Sequence, residues 1–318
     1  MSGMQLEILA IAVLTSVACA LAGVFLVLRR LAMLSDAISH AILPGIVVAF
    51  FLTKNLSSPW LLIGAAATGV LTVFLVETLH RTGRVREDAA MGLVFPALFS
   101  LGIVLITRYA GDVHLDTDAV LLGELAFAPF DRLIVAGRDL GPRHLWVMAA
   151  ITVVNLAFVT VFFKELKLAT FDAELAAAMG LAPAVIHYGL MTVVSITTVG
   201  AFDAVGLILV VALMIGPAAT AMLLTNRLGH VLWVAALVGA VSAALGQGLA
   251  LWLDASIAGC IAVGIGLVFG VVFLFSPGRG LIAVVRRRRS QRWQFAQVML
   301  TIHLAQHEGR PEEPEESR

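Results

Sequence analysis

Charge is what this chain has least of. Of its 318 residues, 13% are Asp, Glu, Lys or Arg, while 60% are hydrophobic. A soluble domain carries about 25% charged residues. The polar surface here is too small to cover a water-exposed globule, so the chain reads as a polytopic membrane protein, all-α, a bundle of about 8–10 spanning helices. A net charge of zero argues against nucleic acid as a partner. The two cysteines, Cys19 and Cys260, both lie in apolar segments, which excludes a disulfide scaffold and argues against a Cys-based metal site. No G-x-x-x-x-G-K-[ST] phosphate loop occurs, so ATP hydrolysis would fall to another chain. No H-E-x-x-H occurs either, which leaves an intramembrane metalloenzyme without its ligand set. We expect no permanently bound cofactor and no enzymatic activity. A cleavable leader is not expected, since the first apolar run, 6–28, is as long as a spanning helix.

What the chain has is long apolar runs. Nine are near the ~20 residues that a bilayer core requires: 6–28, 33–53, 59–79, 88–107, 145–163, 184–201, 203–224, 231–253 and 257–275. A tenth, 119–136, is interrupted by Glu124, Pro129, Asp131 and Arg132 and reads either as a short, re-entrant or interfacial segment or as a costly span. Residues 1–285 form one transmembrane domain and 286–318 a cytoplasmic tail. The basic residues Arg81, Arg84 and Arg86, Lys164 and Lys167, and Arg286 to Arg289 all fall inside if 119–136 does not span, with the N-terminus outside. If it does span, the N-terminus moves inside and Arg81–Arg86 fall outside. Charge favours the nine-span arrangement and places the start of the second span near the cytoplasmic end.

Within that second span stand Asp36 and His40, four residues apart and therefore on one helical face. An ionisable pair in a membrane helix is costly and is a functional-site hypothesis by default. Carboxylate and imidazole together suit a divalent transition ion such as manganese, zinc or iron. Two ligands make a weak site, and a weak site suits transport, because the ion must also leave. The other reading is a structural Asp–His hydrogen bond at a helix start, with Ser35 or Asp36 as N-cap. Pro44-Gly45, just beyond the pair, interrupts or loosens the helix.

The longest polar break in the second half is 164–183. Phe171, Leu175 and Met179 fall at i, i+4 and i+8, one apolar stripe of a short helix. Asp172 and Glu174 lie near its start, where negative charge suits the helix dipole, and Gly180 followed by Pro183 ends it. Such a helix either docks into a groove of a partner protein or lies on lipid. Glu77, Glu124, His187, Asp203 and Asp254 read as interfacial or capping residues, Asp203 at the opening of the seventh span. In the tail, Arg286–Arg289 anchors to anionic lipid, Phe295, Met299 and Ile302 mark a short amphipathic helix, and acidic 308–318 is expected to be disordered.

Four stretches, in order, resemble the ABC-3 family of permeases of manganese, zinc and iron importers. They are Arg29-Arg30-Leu31-Ala32-Met33-Leu34-Ser35-Asp36-Ala37-Ile38-Ser39-His40-Ala41-Ile42-Leu43-Pro44-Gly45; Asp118 to Leu125; Phe171-Asp172-Ala173-Glu174-Leu175-Ala176-Ala177-Ala178-Met179-Gly180; and Val205 to Ala221, ending Gly216-Pro217-Ala218-Ala219-Thr220-Ala221. The resemblance covers about 6–285. The second stretch departs from the family pattern, since Gly123-Glu124 lacks the usual aromatic before the glycine. The resemblance implies that Asp36 and His40 hold the transported ion. It implies that Phe171, Asp172, Glu174, Leu175 and Gly180 belong to a coupling helix that docks on cytoplasmic ATP-binding cassette (ABC) ATPase subunits. It further implies an extracytoplasmic metal-binding protein, a second permease copy (identical or a close paralogue), and residence in a bacterial plasma membrane. Leu43-Pro44-Gly45 is closer to manganese and iron members than to zinc permeases, which often read Leu-Leu-Gly, so manganese is slightly favoured. The alternative function is a proton-coupled secondary carrier using Asp36 and His40 as a relay.

Overall fold

The computed structural model describes residues 3–54, 58–109, 125–135 and 138–307, and the chain divides into two compact units, Met1–Phe269 and Gly270–Arg318. The first unit is a helix bundle whose hub is α1 (Gly3–Leu28), buried along most of its length. Its last two-thirds are small or branched apolar residues with no charge before Arg29, so neighbours can close on it from every side. Following in order are α2 (Leu34–Ala41), α3 (Leu43–Thr53), α4 (Pro59–Arg81), α5 (Glu87–Tyr109), α6 (Arg143–Val161), α7 (Phe163–Phe171), α8 (Ala173–Ala178), α9 (Pro183–Val205), α10 (Leu207–Leu224), α11 (Leu228–Leu253) and α12 (Ile257–Phe275). α1 packs against α6, α9, α10 and α11, while α2 and α3 pack against α4 and α5.

Among the described residues, nine helical segments are long and apolar enough to cross a bilayer, with α2 and α3 counted as one segment, Leu34–Thr53. These match the nine apolar runs of the sequence. The outer surface carries Leu52, Ile208, Trp233 and Trp252 at 80% exposure or more. A surface this apolar is stable only where lipid is the solvent, and the protein is a multi-pass membrane protein. The ambiguous tenth run does not form a helix in its described part. Residues 125–130 make a turn and a short 3₁₀ segment, Ala128–Phe130. An antiparallel hairpin of β1 (Arg132–Val135) and β2 (Arg138–Pro142) follows. Asp131, Arg132, Arg138 and Asp139 place four charges in this segment, which a hydrocarbon environment would not accept. Glu124 and all of the 118–125 stretch except the buried Leu125 lie outside the described residues.

Lipid tails are as apolar as leucine, so helices in a membrane are held by close packing rather than by hydrophobic transfer. Glycine supplies the closeness at two decisive places. A Cβ on Gly23 of α1 would overlap the backbone carbonyl of Met214 in α10, and one on Gly45 of α3 would overlap the backbone of Gly64 in α4. Overpacking at such points costs about 1–3 kcal/mol. Buried hydroxyls and amides are mostly satisfied locally or across helices: Asn155 of α6 donates to the Ala18 carbonyl of α1 at 3.0 Å and to Thr197 Oγ1 of α9 at 2.8 Å. Cys19 and Cys260 are buried free thiols. Gly206, at φ +81°, separates α9 from α10. This break corrects one sequence expectation: Asp203 does not open a helix but sits in the last turn of α9, because helical geometry persists to Val205.

In the second unit, Gly280 (its amide bonded to the Ser276 carbonyl at 2.9 Å) leads into α13, Leu281–His307. This single helix joins the basic run 286–289 to the Phe295–Ile302 stretch that the sequence suggested as a separate short helix. Residues 308–318 are outside the described residues.

Candidate functional site

α1 does not hand over to α2 in open space. At Arg30 the backbone takes φ +64°, and the chain folds back on the last turn of α1, with Leu31 N donating to Leu26 O at 2.8 Å and Leu34 N to Leu31 O at 2.9 Å. α2 therefore starts inside the bundle. Its N-cap is Met33, with no side-chain cap. The expectation that Ser35 or Asp36 caps the helix is thus corrected: Ser35 Oγ instead donates to the Ala32 carbonyl at 3.2 Å. Helical bonding lapses at Ile42, and Pro44 enters the first turn of α3, where its missing N–H costs nothing.

The position of α2 along the bundle follows from what Ile38 touches. A Cβ on Gly69 would lie 2.8 Å from Ser195 Oγ and 3.0 Å from Ile38 Cγ2. Gly69 precedes Arg81, at the end of α4, by about 18 Å of helix, and Ser195 follows Pro183, at the start of α9, by about 18 Å. Ile38 thus packs about halfway along α4 and α9, and Asp36 and His40 flank it in the sequence of α2.

Asp36 and His40 share the face of α2 turned towards α5. The His40 ring lies 5.6 Å from Phe95, tilted by 31°, and 6.4 Å edge-on from Phe99. His40 Nε2 and Asp36 Oδ1 stand 3.7 Å apart, and each side chain is about one-third exposed. That separation is too long for a hydrogen bond. The two groups stand at ion-pair distance without a direct hydrogen bond. Among the described residues no third His, Cys, Asp or Glu joins them into a cluster that could hold a metal.

The 164–183 break holds two helices rather than one. α7 ends at Phe171; Asp172 then adopts extended backbone (φ −151°, ψ 92°) and caps α8, its Oδ1 accepting from Leu175 N at 2.9 Å. α8 ends as the sequence suggested: Gly180 takes φ +82°, Leu181 N bonds back to Ala176 O at 3.0 Å, and Pro183 opens α9. Phe171, Leu175 and Met179 are 63%, 47% and 66% exposed, while Ala176 is fully buried. The three large side chains face away from the bundle, though Phe171 belongs to the preceding helix. Glu174 lies exposed in the first turn of α8.

Two polar clusters were missed in the sequence because their members are far apart in it. At the end of the bundle that carries the 164–183 break, Arg29 donates to Thr170 Oγ1 at 3.2 Å and to His187 Nδ1 at 2.9 Å. His187 Nε2 faces Glu77 Oε2 at 3.9 Å, and Glu77 accepts from Arg81 at 2.6 Å. Of these links, only the Glu77–Arg81 i,i+4 spacing was visible beforehand. Burial lowers the pKa of Arg29, though a guanidinium remains charged. At the opposite end, Arg132 of the hairpin bridges Asp139 at 2.7 Å and Glu7 at 3.3 Å. The Gly141 amide and Arg132 hold the Asp139 carboxyl below its usual range. His144 stands between Asp131 at 3.7 Å and Asp203 at 3.6 Å.

A family profile described as the ABC 3 transport family matches residues 2–276. The manganese transport system membrane protein MntD of Bacillus subtilis (strain 168) is 48% identical over 275 residues, covering 86% of this chain and 93% of that protein. The zinc transport system membrane protein TroD of Treponema pallidum (strain Nichols) is 48% identical over 304 residues, covering 96% and 83%. Among solved structures, PsaBC from Streptococcus pneumoniae in complex with Fab superposes with a TM-score of 0.72 at 27% identity, covering 87% of this chain and 93% of that one.

Proposed function

The chain belongs to the ABC 3 transport family, and from that premise we propose that it is the membrane-spanning permease subunit of an ATP-driven importer for a divalent transition-metal ion. Asp36 and His40 hold the ion in passage. The single observation that carries this reading is the placement of the pair: side by side at 3.7 Å, each about one-third exposed, on the helix that packs halfway along α4 and α9. A second copy of the chain bringing its own pair would raise the ligands to four, enough to hold an ion for the time of a transport cycle. Carboxylate with imidazole accommodates manganese, zinc or iron, and relatives at equal identity are named for manganese and for zinc. Leu43-Pro44-Gly45 puts manganese slightly ahead.

Energy comes from outside the chain, which carries no phosphate loop. Cytoplasmic ATPase subunits dock on 164–183, where Phe171, Leu175 and Met179 offer exposed apolar side chains around a short helix capped by Asp172. An extracytoplasmic metal-binding protein delivers the ion at the other end. The rival is a proton-coupled carrier with Asp36 and His40, 3.7 Å apart, as the relay. The separating experiment is uptake of Mn²⁺ and Zn²⁺ into proteoliposomes with and without the ATPase. ATP-dependent uptake is expected. Uptake driven by a proton gradient in the absence of ATPase and ATP would overturn the importer reading in favour of the carrier.

A further inference from the structure

We infer that Arg29 is a positioning residue that couples the movement of the ATPase-docking segment to the ion pair; this rests on the importer reading above. Arg29 is the first residue after α1 and opens the turn that leads directly into α2, the helix of Asp36 and His40. From that junction its guanidinium reaches two other elements. Nε donates to Thr170 Oγ1, one residue before the end of α7 and two before the Asp172 cap of α8. Nη1 donates to His187 Nδ1 in the second turn of α9. The turn itself is tied to both of its neighbours, through Leu31 N to Leu26 O behind it and Ala37 N to Met33 O ahead. A displacement of α7 and α8 therefore pulls on the residue at which α2 is hinged.

The donor inventory defines the rest of the network. Arginine has no acceptor, so His187 Nδ1 must accept and the ring carries its proton on Nε2. That N–H faces Glu77 Oε2 on α4 at 3.9 Å, beyond hydrogen-bond reach. The Glu77 carboxylate is held in turn by the Tyr188 hydroxyl of α9 and by Arg81. The Arg29–Thr170 bond is the link from this network to α7. The network's members come from the α1–α2 turn, α4, α7 and α9, which include the helices packed around Ile38 at the level of the ion pair.

The test measures metal ions taken up per ATP hydrolysed in proteoliposomes holding the permease and its ATPase. For Arg29→Gln we expect ATP hydrolysis within about twofold of the unaltered complex and uptake reduced tenfold or more. Thr170→Val, which keeps shape and removes one hydroxyl, lowers the ratio about threefold, and Arg29→Lys, which retains charge but can keep only one of the two bonds, lies between. The double variant Arg29→Gln/Thr170→Val should be no worse than Arg29→Gln, because Arg29→Gln already removes the bond that Thr170→Val breaks. Should Arg29→Gln fail to reach the membrane, Thr170→Val alone decides. An unchanged ratio in Thr170→Val, or hydrolysis and uptake falling in proportion in Arg29→Gln, overturns the assignment. Absence of ATP-dependent uptake by the unaltered complex overturns the importer reading itself, and the assignment with it.

Discussion

At the scale of single residues, Asp36 shows how little a spacing says alone and how much it says once surroundings are known. The i,i+4 relation to His40 was legible in the sequence, as was the choice of ligand types. Two things were not. The absence of a hydrogen bond between them depends on side-chain torsions. Their position along the bundle depends on Arg30 taking a left-handed conformation, uncommon outside glycine, and on Ile38 meeting Gly69 and Ser195. Arg29, Thr170, Glu77 and His187 were individually unremarked or read as interfacial, since nothing local announces that residues more than a hundred positions apart will bond. Each side chain of the pair is about one-third exposed, which leads to a prediction. Asp36→Asn should lower ATP-dependent metal uptake by about tenfold or more, corresponding to about 1.4 kcal/mol of lost ion binding. Thermal unfolding of the purified protein should shift by no more than about 0.5 kcal/mol. A large loss of stability would return the pair to a structural role.

At the scale of elements, the 164–183 break reads in the sequence as holding one short helix and folds as two. The apolar stripe at 171, 175 and 179 is a true feature of the sequence, and all three side chains are exposed. The periodicity ignored Asp172, whose carboxylate gains more by leaving the helix and capping the next one than by continuing it. The end at Gly180 and Pro183 was read correctly because positive φ and a missing N–H are strong local signals. Replacement of Leu175 by Arg should abolish co-purification of the ATPase subunits and leave the permease in the membrane at normal level. A partly exposed leucine at the centre of such a contact contributes about 1–2 kcal/mol, a tenfold or greater loss of affinity. Retention of the ATPase by Leu175→Arg would mean that docking uses another surface.

At the scale of the whole molecule, the nine spanning segments and the family were legible because long apolar runs and four ordered motifs are properties of composition and order. The run 119–136 was not, because its mean apolarity conceals the charges of its second half, which folds as a hairpin in its described part. The turn after α4 and the hairpin lie at opposite ends of the bundle of the first unit. Cysteines introduced one at a time then have definite expectations. Leu140→Cys, on the hairpin, should react with a membrane-impermeant maleimide in intact cells; Arg84→Cys, in the turn after α4, should react only after permeabilisation. The reverse pattern would invert the bundle and separate Arg29 and the docking segment from any cytoplasmic ATPase.

The proposed import requires the ion to pass Asp36 and His40 under the drive of ATP. The most direct measurement is ATP-dependent uptake of radioactive Mn²⁺ into proteoliposomes by the unaltered complex and by His40→Ala at matched protein level. The unaltered complex should accumulate the ion, and His40→Ala should accumulate at least about tenfold less while still binding its ATPase. Undiminished uptake by His40→Ala would contradict the assignment of the pair as the ion site.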